Sequence, residues 1–113
     1  MSRFMYLFRG SDAMAEMSPE EMEVHMGKWK TWMGGLAQEG VLVDGLPLNK
    51  DGKQVSNGAQ TVIDGPFAEG KEMVGGYLIV NADNENAAVE IAKGCPIFEG
   101  PNGNVEVREI MSM

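Results

Sequence analysis

The sequence predicts an α+β fold of the ferredoxin-like kind: a split βαβ plan in which two helices cover one face of an antiparallel sheet. Three observations carry this expectation. The elements read strand, helix, strand, hairpin, strand, helix, strand, which is the order of that plan. The first helix has clear start and stop signals. The strands alternate with period two, and the two that read as central are apolar on both sides.

Arg3 to Phe8 is rich in aromatic and apolar residues and ends at Gly10, as a strand would. After a loop from Gly10 to Met17, Ser18-Pro19-Glu20-Glu21 opens a helix. Ser18 caps the free N–H groups, Pro19 suits the first helical position, and Glu21 completes a capping box. That helix is expected to reach Gln38 or Glu39 and stop at Gly40. Met22, Met26, Trp29, Met33 and Leu36 recur at spacings of four, three, four and three, one apolar stripe facing a core.

Val41 to Leu48 is a short strand interrupted by Gly45 and Pro47, which suits a sheet edge. Asn57-Gly58 lies between Lys53-Gln54-Val55 and Gln60-Thr61-Val62-Ile63, the pattern of a small hairpin. Asp64-Gly65-Pro66-Phe67 makes a tight loop. Gly76 to Val80 reads as a central strand. Asp83 or Asn84 caps a second helix through Ala92, with Gly94 and Pro96 beyond it, and Val105 to Ile110 closes the chain as the last strand.

On the first strand Phe4, Tyr6 and Phe8 oppose Met5 and Leu7; near residue 78, Tyr77 and Ile79 oppose Leu78 and Val80. Both helices are spent on one face, so the other needs a second cover. Another copy of the sheet would supply it at about 25 cal/mol per Å² of apolar area buried. A homodimer is expected on that ground.

Composition narrows the function classes. The 113 residues fit one domain, 1–113. Nine basic residues are scattered among seventeen acidic ones, for a net charge of -8. No basic patch forms to displace counterions from phosphates, so neither nucleic acid nor an anionic membrane is expected as a partner. No apolar run approaches the roughly 18 residues that span a bilayer. The N-terminus lacks a signal peptide's apolar stretch. The lone Cys95 cannot form an internal disulfide, which suits a reducing cytoplasm.

Asp64 to Glu72, DGPFAEGKE, followed by Gly75-Gly76-Tyr77, closely resembles the signature of the YCII-related (DGPF) family. The likeness extends to a tryptophan-bearing first helix, to Gly94-Cys95-Pro96 and to Val105-Glu106-Val107-Arg108, nearly the whole chain. It implies a dimeric α+β barrel. A related branch has been compared with muconolactone isomerase, with a His–Asp pair in a cleft suggested as catalytic.

His25 is the one histidine, so any imidazole acid–base step would use it. It lies one helical turn from Trp29 and two from Trp32, beside the Met stripe. An edge histidine bonded to a backbone carbonyl is the bland alternative. Asp64, or Asp44 from the second strand, is the expected carboxylate to orient it, although an Asp entering a turn also binds backbone N–H groups. Arg108 would grip the acid group of a small anionic metabolite in a bidentate fork if its face lined a cleft, and otherwise serves in a cross-strand charge pair. Tyr6, Trp32 and Phe67 would wall that cleft or fill the core.

Gly65 to Glu72 falls one residue short of a P-loop. Glu72 stands where Ser or Thr would hold magnesium, and Pro66 has no N–H, so nucleotide binding is rejected. One His and one Cys make no metal cluster, and no cofactor motif is recognised. Three function classes remain open: an isomerase- or lyase-type enzyme, a small-ligand-binding dimer without turnover, and a structural or interaction module.

Overall fold

Capping residues bound both helices in the computed structural model, which describes residues 1–10, 16–66 and 73–112. Helix α1 is Pro19–Gln38; Ser18 accepts from the Glu21 N–H while the Glu21 side chain accepts from the Ser18 N–H, the full reciprocal box. It ends as Gly40 turns left-handed at φ +74°. Helix α2 is Glu85–Ala92, and of the two candidate caps it is Asn84 that accepts, from the Ala87 N–H at 2.8 Å.

Four strands form the main sheet: β1 (Ser2–Arg9), β2 (Leu42–Pro47), β5 (Gly76–Ala82) and β6 (Asn104–Glu109). Their spatial order is β2-β5-β1-β6, with every neighbouring pair antiparallel, so this is a ferredoxin-like α+β fold. The hairpin strands β3 (Lys53–Ser56) and β4 (Thr61–Asp64) make a separate two-stranded sheet. Its turn takes the four residues 57–60 around Asn57-Gly58. Asn57, Gly58 and Ala59 all have positive φ, and the Gln60 N–H returns to the Asn57 carbonyl at 3.1 Å. A 3-10 turn, Pro96–Glu99, lies between α2 and β6 and was not foreseen.

Strand periodicity sorts the side chains cleanly. Phe4, Tyr6 and Phe8 of β1 and Leu78, Val80 and Ala82 of β5 face the helices and are buried with Ala88, Ala92, Cys95 and Ile97. The Tyr6 hydroxyl, fully enclosed, donates to the Ala88 carbonyl and ties sheet to α2. The opposite face carries Met5, Leu7, Tyr77 and Ile79 at its centre, half-buried, with Leu46 exposed beside them. Its flanks are charged: Arg9 pairs with Glu106 at 2.6 Å, and Arg108 stands across from Met5. Among the described residues no helix is long and apolar enough to cross a membrane.

The close of β1 depends on one glycine. Gly10 has φ +81°, and a Cβ there would stand 1.8 Å from the Asn102 carbonyl oxygen. Strain and collision act together. Gly10→Ala should therefore lower folding stability by about 3 kcal/mol, read as a lower urea midpoint at unchanged m-value.

Candidate functional site

On α1, residues four apart share a face, so His25 and Trp29 meet. Of the expected apolar stripe, Met22, Trp29, Met33 and Leu36 face inward and Met26 alone does not. His25 is 3% exposed and takes the inward place, while Met26 is 45% exposed. Trp29 is fixed edge-on by Phe8 of the sheet, their ring centroids 5.2 Å apart at 83°. Trp29 in turn stands edge-on to Trp32 at 5.8 Å. The aromatic run thus passes from the core out to the helix surface.

The Trp29 indole N–H donates to His25 Nε2 at 2.9 Å. Indole is a donor only, so Nε2 is the unprotonated nitrogen and the ring proton sits on Nδ1. That Nδ1 is buried and makes no hydrogen bond. Its nearest charged neighbour is Glu99, whose Oε2 lies 4.0 Å away, beyond bonding distance. A buried donor without an acceptor costs about 1–3 kcal/mol. Glu99 also holds the Lys28 ammonium at 3.2 Å. Both side chains of that pair are well exposed, so it contributes at most about 1 kcal/mol.

Beside this corner runs an open groove of about 880 Å³ between α1 and the Gly94–Glu99 segment. Val24, Trp32, Pro96 and Phe98 supply apolar walls, with Lys28 and Glu99 as its charged groups. Val24 and Phe98 are 60% and 48% exposed, an apolar surface that neighbouring side chains leave uncovered.

The sequence-derived candidates separate in space. His25 meets Glu99, and neither aspartate reaches it. The Asp64 carboxylate, 89% exposed, pairs with Lys53 at 2.9 Å within the hairpin. That of Asp44 accepts from the Gly45 N–H at 2.8 Å. Trp32 lines the groove as a wall. Tyr6 belongs to the core and contributes no wall. Arg108 is exposed on the helix-free face, across the sheet from His25, so the two do not share one pocket within a chain. Phe67 lies outside the described residues. Lys28 and Glu99 were missed. They are 71 residues apart, and neither carries a motif that announces the meeting. Among the described residues no three His, Cys, Asp or Glu side chains converge as metal ligands.

Two-layer α+β architecture with a buried histidine beside an open groove is the class of protein these features define. More narrowly, the chain belongs to the YCII-related domain family, whose profile matches residues 3–113. No curated protein matches the chain.

Burial sets the chemistry of two further groups. The Cys95 thiol at the groove floor is pushed up from 9.0 to about 12 by loss of solvent. Tyr6 is pushed up from 10.0 to about 12, by burial first and by the nearby Cys95 second. Both are neutral when protonated, and the unfolded chain releases these protons at lower pH than the folded one. Stability is therefore complete below about pH 9 and declines as pH rises toward about 12. Urea titrations at stepped alkaline pH should show that decline, and Cys95→Ala should remove part of it. At neutral pH a thiol reagent should label Cys95 only after unfolding.

Trp29→Phe keeps a ring against Phe8 but deletes the indole donor. It should cost about 1 kcal/mol of stability, measured by chemical denaturation, because His25 then has both nitrogens unmet.

Proposed function

We propose that this member of the YCII-related family is a homodimer that binds a small molecule in the groove beside His25. The observation that carries the reading is the condition of that histidine. Its acceptor nitrogen is taken by Trp29, and its remaining N–H is buried without a partner 4.0 Å behind Glu99, a residue of the groove's lining to which His25 itself does not belong. A ligand oxygen arriving there would satisfy it. The apolar walls beside it would hold the ligand's carbon skeleton.

Binding without turnover is favoured over acid–base catalysis for a specific reason. A general base needs a free lone pair within hydrogen-bond reach of the substrate proton. Here the Nε2 lone pair is engaged by the indole. An isomerase- or lyase-type enzyme is the second reading, and one feature favours it. The Glu99 carboxylate stands 4.0 Å from Nδ1, on the side from which a carboxylate can orient an imidazole. That mechanism requires Trp29 to release Nε2 when substrate binds.

Dimerisation rests on the helix-free face. Met5, Leu7, Tyr77 and Ile79 form an apolar centre there, which a second copy would cover by a self-complementary contact. Sedimentation at micromolar concentration should give twice the 12.3 kDa chain mass. Ile79→Lys should give a helical, folded monomer. A wild-type monomer at that concentration refutes the dimer.

For the site, the two indole N–H resonances serve as reporters. A fragment library of small apolar acids, amides and alcohols should move the Trp32 resonance saturably, with no chemical change in the bound fragments. Fragment conversion that disappears in His25→Ala would establish the enzyme instead. No movement of either indole by any fragment would overturn both.

A further inference from the structure

Resting on the ligand-binding reading above, we infer that the groove is built for small aromatic or branched-chain carboxylic acids, and that Glu99 holds the ligand carboxylate's place in the free protein. Three observations lead there. First, the corner already carries a carboxylate between two donors. Glu99 lies 3.2 Å from the Lys28 ammonium and 4.0 Å from the His25 Nδ1. Both donors suit an anion, and one of them is a buried N–H that Glu99 does not reach.

Second, the exchange is easy on the protein's side. The pair of Lys28 and Glu99 is exposed, so breaking it sacrifices little. Glu99 ends the 3-10 turn and is followed by Gly100 and Pro101, so its side chain can leave without unwinding a longer element. His25 does not line the groove, and Glu99 stands between; a ligand carboxylate that displaces Glu99 and advances past its position would gain what Glu99 lacks, a bond to the buried Nδ1–H. Burial makes that bond worth more than one at the surface.

Third, the groove's walls select what is attached to the carboxylate. Trp32 and Phe98 offer ring faces and edges, and Val24 and Pro96 add aliphatic surface. An aromatic or branched body would cover these side chains, two of which now stand substantially exposed. A phosphate ester would bring more charge than one lysine and one neutral imidazole can balance. Lys28 is the one basic side chain lining the groove among the described residues.

The test compares 3-phenylpropanoate with its neutral twin, 3-phenylpropanamide, on the full chain, following the Trp32 and Trp29 indole resonances. Wild-type protein should bind the acid. Glu99→Ala should bind it up to about fivefold more tightly, because an internal competitor worth at most about 1 kcal/mol is gone, and the affinity for the amide should change less than twofold. Adding Lys28→Met to that variant should reverse the gain. Glu99→Gln should reproduce most of it, as a control for the cavity left by alanine.

Equal effects of Glu99→Ala on acid and amide, or a gain that survives Lys28→Met, would overturn the place-holder role and the acid preference while leaving the groove as a binding site. Failure of both probes to move the Trp32 resonance in every variant would overturn the binding reading as well. A variant with a collapsed spectrum is replaced by Glu99→Gln, for which the same outcomes decide.

Discussion

The indole N–H of Trp29 must find an acceptor on a helix face that is otherwise hydrocarbon and aromatic, and His25 Nε2 is the one it finds. Much of the local structure follows from that bond. It satisfies one nitrogen of an imidazole that is only 3% exposed, while the neighbouring Met26 faces outward. It assigns the ring proton to Nδ1 and directs that proton at Glu99. Because Trp29 is itself wedged against Phe8, the arrangement is anchored in the centre of the sheet. Leaving indole and imidazole unpaired would leave three polar atoms unmet; pairing them leaves one, Nδ1, with Glu99 4.0 Å away.

The fold was legible because its signals are local. Ser18, Pro19 and Glu21 describe a helix start that needs no tertiary information, and Gly40 describes its end. Alternation along residues 4–8 and 76–82 identified both faces of the two central strands, and their register confirms which residues sit opposite one another. The 3-10 turn at Pro96–Glu99 was missed because four residues offer no period to read. The hairpin around Asn57-Gly58 was recognised, its strands displaced by only one residue from those observed. The stripe of α1 was read correctly at Met22, Trp29, Met33 and Leu36; only at its edge does His25, bonded to Trp29, take the inward place expected of Met26.

The site was less legible because its groups come from distant places. His25 and Trp32 were identified from their residue types and their helix. Their carboxylate partner was sought at Asp64 or Asp44, where sequence offers conspicuous turns. Both aspartates serve local needs instead, a cross-strand lysine in one case and a neighbouring N–H in the other. Glu99 closes the Pro96–Glu99 turn and comes within 4.0 Å of the histidine only because α1 packs over that turn. Such a meeting is a product of topology, and no spacing rule within one segment encodes it.

Separation of the two faces has a functional consequence. His25, Lys28, Trp32 and Glu99 lie with the helices, while Arg108, Glu106, Arg9 and the apolar centre of Met5, Leu7, Tyr77 and Ile79 lie across the sheet. A sheet one residue thick keeps these sets apart, because successive side chains point to opposite sides. Assembly on the helix-free face would therefore leave the groove open to solvent, so subunit contact and ligand entry need not compete for the same surface. Arg108, on the same face of β6 as Glu106, would then lie where the sheets meet, and Lys28 would be the one basic side chain left to the groove among the described residues. That division would let a chain of net charge -8 offer the proposed carboxylate site. One ammonium and one buried imidazole N–H act at short range, where screening by the surrounding solution is weakest and the chain's overall charge matters least.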